Sequence, residues 1–225
     1  AMANNFDLEE QEQLDQLKHF WNTWGTLIST ALIIIFGAVA AWNGFNFWKN
    51  REAFQVAALL DAVEAAGKAD DKNRMSQAFL DIRSKYADTV QAGQAGLIFA
   101  KLEIDKNNID GAKTALDWVA KNASDDGYKL LAQLRLARIL MEKKSYDIAL
   151  QEIPLKYPAE FESIVTDRKG DILLLQDKKY ESIAEYKKSH IVSGDNSEYQ
   201  QLISVKLSAL GVQSRNTDEL KMTKK

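Results

Sequence analysis

Residues 24–42 read WGTLISTALIIIFGAVAAW, and no Asp, Glu, Lys or Arg occurs between Lys18 and Lys49 in a chain that is 27% charged as a whole. A helix over this stretch, at ~1.5 Å rise per residue, is long enough to cover the ~30 Å hydrocarbon layer of a bilayer. Trp21 and Trp24 stand at one end, and Trp42, Phe45, Phe47 and Trp48 at the other. They match the aromatic belts that anchor a membrane helix at both interfaces. The sequence therefore predicts one membrane-spanning helix over residues 19–48. Ala38-Val39-Ala40 also fits a signal-peptide cleavage site, but Asp7, Glu9, Glu10, Glu12 and Asp15 precede the first lysine, the reverse of a positive n-region. The expectation is an uncleaved anchor behind a short acidic segment, residues 1–18. Gly37, Ala40, Ala41 and Gly44 share one helical face, continued by Thr30 and Ile33, and are candidates for close packing against a neighbouring membrane helix. Orientation stays open on charge: Lys18 faces Lys49 and Arg51 across the span.

Beyond Lys49 acidic and basic residues balance, which argues against nucleic acid as a partner, since phosphate recognition needs a basic excess. The absence of cysteine fits an oxidising compartment and equally many cytosolic domains. With only two prolines in the chain and a composition rich in Ala, Leu, Lys, Glu, Asp and Gln, residues 49–211 are expected to be helical nearly throughout. Small residues recur there with a period: Ala78, Ala112, Ala149 and Ser182, each followed four residues later by a large one, Ile82, Leu116, Ile153 and Tyr186. Twelve residues before the last three lie Ala100, Ala137 and Gly170, inside the apolar runs GLIFAKLEI, LRLARIL and KGDILLL. Such a period describes a helix pair, and pairs that each carry an apolar face bury it by stacking on one another. The fold class expected is all-α: one N-terminal transmembrane helix followed by a tetratricopeptide-like α-solenoid. Tyr86 and Tyr157 read as aromatic wedges at repeat ends, residues 196–210 as a capping helix closed by Gly211, Ala123 as an open turn, and residues 212–225 as a polar tail.

Chemistry is hard to assemble from these residues. There is no cysteine; His19 lies beside the membrane segment and His190 at a helix end, where the dipole favours it, so no nucleophile and base come together. No phosphate-cradling glycine loop or zinc spacing occurs, and Asp70-Asp71 and Asp125-Asp126 read as helix-start residues. The expectation is a non-catalytic protein without cofactor or metal, acting through its surfaces. First helices of successive pairs line one face of a tetratricopeptide stack, and there they would present Lys101, Arg135, Arg138, Arg168 and Asp171. Two readings stand side by side: capture of an acidic or carboxyl-terminal peptide segment, or an Arg138–Asp171 ion pair with the other charges merely solvated.

The acidic start leading into Lys18-His19-Phe20-Trp21, the anchor ending at Trp48, Leu134-Arg135-Leu136-Ala137-Arg138-Ile139-Leu140 and Gly170-Asp171-Ile172-Leu173-Leu174 occur in an order that resembles the ancillary SecYEG translocon subunit family (YfgM-type). Asp177 departs from the pattern where a turn glycine is expected. The resemblance implies a single-pass protein of the bacterial inner membrane with a short cytoplasmic N-terminus and a periplasmic tetratricopeptide-like domain. It implies as partners the SecYEG translocon, a membrane-anchored periplasmic isomerase-like chaperone (PpiD-type) and membrane lipid, and a scaffold or chaperone role in handing over translocated proteins. The competing expectation is a membrane-anchored tetratricopeptide adaptor in envelope assembly or signalling, independent of the translocon.

Overall fold

The computed structural model describes residues 8–194 and 198–212, and among them it is helical without strands. The apolar stretch lies within α1 (Leu8–Lys68), which does not stop at Trp48 but continues for five further turns. Around the stretch the large apolar side chains are open on all sides: Ile33, Phe36 and Trp42 are each about 70% exposed. Water would not tolerate such a surface on an isolated helix, whereas lipid would. The chain separates into two compact units, one ending at Glu52 and the other beginning at Ala53.

Among the described residues the second unit contains the end of α1 and eight more α-helices: α2 (Lys72–Lys85), α3 (Val90–Asp105), α4 (Ile109–Asn122), α5 (Asp126–Glu142), α6 (Tyr146–Glu152), α7 (Glu162–Leu175), α8 (Lys179–Val192) and α9 (Glu198–Ala209). The repeating small and large residues fall where the spacing put them. Ala78, Ala112, Ala149 and Ser182 sit on α2, α4, α6 and α8, and with Ile82, Leu116, Ile153 and Tyr186 all are buried. Ala100, Ala137 and Gly170 are buried on the partner helices α3, α5 and α7. Contact is closest at Gly170: a Cβ there would lie 2.6 Å from the Tyr186 ring, and the Ser182 hydroxyl donates to the Gly170 carbonyl at 2.8 Å. The first pair also has its small residue, Ala66, twelve before Ala78 and buried in the same core as Val63, Met75 and Ile82. The helix that carries the apolar anchor thus ends as the first helix of the solenoid.

Within each pair the turn repeats as well. Asp70, Asn107, Lys144 and Asp177 all have φ near +60°. The residue after each donates its backbone N–H five places back, Asp71 to Ala66, Asn108 to Glu103, Ser145 to Leu140 and Lys178 to Leu173, at 2.8–2.9 Å. This is the bonding that closes a helix C-terminus, here without glycine in any copy, at roughly 1 kcal/mol of backbone strain per turn. Asp177 is therefore one of four like turns rather than an exception. Residues beside the turns reach back to the preceding repeat: Lys106 to Asp70 at 2.7 Å, Lys143 to Asp110 at 3.8 Å and Gln176 to Asp147 at 2.7 Å. Asp71 and Asp125 cap α2 and α5, accepting from the Arg74 and Tyr128 amides at 3.0 and 2.9 Å.

Two expectations need correction. Ile153 is buried but does not continue a helical face, because α6 ends at Glu152 and Ile153 is extended, φ −74° and ψ 118°. Pro154 follows it, and proline pushes the residue before it out of the helical region. Ala123 does lie in a turn, yet its side chain is buried in the core with Val119 and Ala92. Tyr86 is half-buried, its hydroxyl donating to Gln55 Oε1 on α1 at 2.8 Å.

At the far end α9 caps the stack and Gly211 takes φ +85°, while residues 195–197 and 213–225 lie outside the described residues. Ile203 and Leu207 pack on Tyr186 in a small core of their own. Beside it Lys206 Nζ lies 2.6 Å from a carboxylate oxygen of both Asp167 and Asp171. The Tyr199 and Tyr186 hydroxyls donate to these same two carboxylates at 2.8 and 2.7 Å. Burial, and then the hydrogen bonds to Asp171 and Asp167, hold both phenols above the usual tyrosine range. A phenol whose folded pKa is raised contributes stability in full below its unfolded value, and the contribution is lost as pH climbs through the folded one.

Replacing Ala137 or Gly170 with Leu should cost about 1–3 kcal/mol through overpacking, and so should Ala123→Leu now that its side chain is placed in the core. Denaturant unfolding measures this, and an unchanged midpoint for Gly170→Leu would displace the helix contact. In alkali, stability should decline above about pH 10, less steeply in Tyr199→Phe. Phenolate absorbance should show Tyr186 and Tyr199 ionising last; early ionisation of both would break the α7–α9 bonding pattern.

Candidate partner-binding site

Lys101 and Arg135 project from α3 and α5, the first helices of two successive pairs, and Arg138 lies one turn beyond Arg135. Together they line a recess of about 350 Å³ whose remaining walls are Ile104, Ile109, Ile139, Asp105 and Glu142. Arg135 is half-buried and donates from one guanidinium nitrogen to the Leu97 carbonyl at 2.9 Å, which fixes the side chain across the two helices. Burial pushes its guanidinium pKa down, because the charged form is the one that loses hydration. Arg138 reaches Glu142 on its own helix at 3.5 Å, both side chains being exposed. Among the described residues neither Lys101 nor Arg135 has a carboxylate within 4.0 Å. A pocket with isoleucine walls and two cations free of counter-ions can take an apolar side chain and a carboxylate at once.

Arg168 and Asp171 are not part of that recess. They lie 3.7 Å apart on α7, and Asp171 is held by Lys206 and Tyr186. The Arg138–Asp171 pair does not form, because each partner has a nearer one: Glu142 a turn away on α5, and Lys206 delivered by α9. Lys206, Tyr199 and Asp167 escaped sequence reading, although Lys206 between the core residues Ile203 and Leu207 marks the side of α9 that faces inward. His190 does sit in the last turn of α8, but it is buried, with Nε2 3.0 Å from Ser204 Oγ.

On α1 the face of Gly37, Ala40, Ala41 and Gly44 is exposed, and a Cβ added at Gly37 or Gly44 would meet nothing within 4 Å. A hollow of about 650 Å³ beside Glu12, Asp15 and His19 has walls from α1 alone. One helix cannot enclose a ligand.

A family model described as a tetratricopeptide repeat-like domain matches residues 18–212. The chain is similar to the ancillary SecYEG translocon subunit of Neisseria gonorrhoeae, 30% identical over 207 residues, which cover 90% of this chain and 98% of that one. It is also similar to that of Escherichia coli, 27% identical over 76% of this chain and 82% of the relative, and to that of Haemophilus influenzae, 24% identical over 91% and 99%. Match length, helix-pair architecture and the long apolar helix agree, and the chain belongs to the ancillary SecYEG translocon subunit family, with a tetratricopeptide repeat-like domain.

Proposed function

We propose that the chain is a non-catalytic ancillary subunit of the Sec translocon, a membrane-anchored scaffold or chaperone-type protein that helps hand over translocated proteins. The observation that carries this reading is the full-length similarity to relatives bearing that name, joined to a surface suited to binding rather than to bond-making. In it, residues 19–48 cross the bacterial inner membrane once, residues 1–18 are cytoplasmic, and residues 49–211 form the periplasmic domain ahead of the tail 212–225. SecYEG and an isomerase-like membrane-anchored chaperone (PpiD-type) are its protein partners, and lipid surrounds the anchor.

Two surfaces divide the work. The Gly37, Ala40, Ala41 and Gly44 face allows another membrane helix to approach closely. The Lys101, Arg135 and Arg138 recess supplies the specificity, by taking a carboxylate-bearing segment of a partner. Arg168 and Asp171 contribute by securing α9 on α7, and so complete the domain that presents the recess.

Affinity purification from solubilised membranes should recover Sec subunits with the chain. The pair Lys101→Glu and Arg138→Glu should lower recovery without unfolding the domain, since both side chains are exposed. The loss should mimic that caused by added salt, which screens exposed charges over about 10 Å at 0.1 M. A reporter active only in the periplasm should be active when fused after Gly211. Recovery of envelope proteins without any Sec subunit would favour the translocon-independent adaptor, and a silent reporter would reverse the orientation.

A further inference from the structure

Phe79 of α2 is buried and touches two aromatic rings: Phe99 of α3, stacked at 4.7 Å between centroids, and Trp118 of α4, edge-on at 5.9 Å. Arg83, one turn along α2, lies over both Phe79 and Trp118, its guanidinium carbon 5.6 and 5.5 Å from the two ring centroids. The rings attract the cation but offer no lone pairs to its five N–H donors. Arg83 Nε is buried with no hydrogen-bond partner, and among the described residues no carboxylate lies within 4.0 Å of the side chain. The nearby acidic residues of α2 and α4 are engaged elsewhere: Asp81 with Gln77 at 3.3 Å and Lys85 at 3.8 Å, Asp117 with Lys113 at 2.9 Å. A half-buried guanidinium held in place by two aromatic rings, its Nε shut in and its terminal Nη donors without a protein acceptor or a carboxylate nearby among the described residues, is arranged to receive a planar anion at the Nη edge.

From this we infer that Arg83, positioned by Phe79 and Trp118, is a docking point for a side-chain carboxylate on a partner protein segment. Charge complementarity selects the Asp or Glu. Leu80, three residues back on the same helical face and half exposed, selects an apolar residue next to it. Arg and Trp on one desolvated spot are the residue types that dominate binding energy at protein interfaces. The point stands on α2 and α4, second helices of their pairs, and shares no residue with the recess of α3 and α5. It therefore adds a second protein contact to the function proposed above and does not depend on the translocon being the partner.

The test uses the full chain in detergent with Trp21, Trp24, Trp42 and Trp48 replaced by Phe, which leaves Trp118 as the sole tryptophan. Its emission is followed on adding the blocked peptide acetyl-Glu-Leu-Glu-Leu-amide, its Gln counterpart, or phosphatidylglycerol vesicles. The Glu peptide should give a saturable change and the Gln peptide none. Arg83→Gln should weaken binding about tenfold or more, the scale of one charge-assisted hydrogen-bonded contact. Arg83→Lys, which keeps the charge but not the fork, should bind more weakly than the parent while its circular dichroism melt is unchanged. Lys101→Glu with Arg138→Glu should leave the titration as it was. No saturable change, equal responses to the Glu and Gln peptides, undiminished binding by both Arg83 variants, or a response to the vesicles alone would each overturn the assignment.

Discussion

How near two helices can come is set by the side chains at their crossing, and in this domain the crossings are made by Ala, Ser and Gly. Gly170 shows the limit, since any side chain there would enter the ring of Tyr186. The close contact lets Ser182 bond to the Gly170 backbone and packs Tyr186 at the base of the last core. Each large residue four places on from a small one then closes the space beside the crossing. Neither member of such a pair substitutes for the other, because overpacking and void formation are both costly in a close-packed interior. The recess that can take a partner is a by-product of this spacing, which determines how far apart α3 and α5 stand.

The architecture was legible because it is written in side-chain volume, which repeats, and not in any one motif. Ala112, Ala137 and Gly170 could be placed from spacing alone. The first pair was not found, although Ala66 stands at the right interval, because it lies on the continuation of a helix read as an anchor and the apolar signal of residues 19–48 overshadows it. Buried polarity was also out of reach. Glu103 lies inside an apolar run and is almost wholly buried, its carboxylate accepting from the Asn108 side chain; only the fold reveals that this amide is near.

The recess was legible in part for a similar reason. Positions on first helices can be counted along the chain, and of those named Lys101, Arg135 and Arg138 line one recess. What each charge then does depends on neighbours that counting does not supply. Arg168 is spaced from Gly170 just as Arg135 is from Ala137, but α9 packs against α7 and its lysine reorganises the carboxylates there. The same blindness applies to Arg83, whose aromatic companions Phe79 and Trp118 come from two helices.

The polar links along the turns have a direction. In each, the residue that reaches back belongs to the later repeat and the carboxylate to the earlier one, from Lys106 to Asp70, Lys143 to Asp110 and Gln176 to Asp147. Such exposed contacts add little to stability. They do make successive units interchangeable at their edges: Asp70, Asn107 and Lys144 recur at intervals of 37 residues, so excising one period would bring Lys143 to the place of Lys106, opposite Asp70. A solenoid with that property can lengthen or shorten by duplication and deletion without inventing a new junction, and the number of its repeats is then free to follow the size of what it binds.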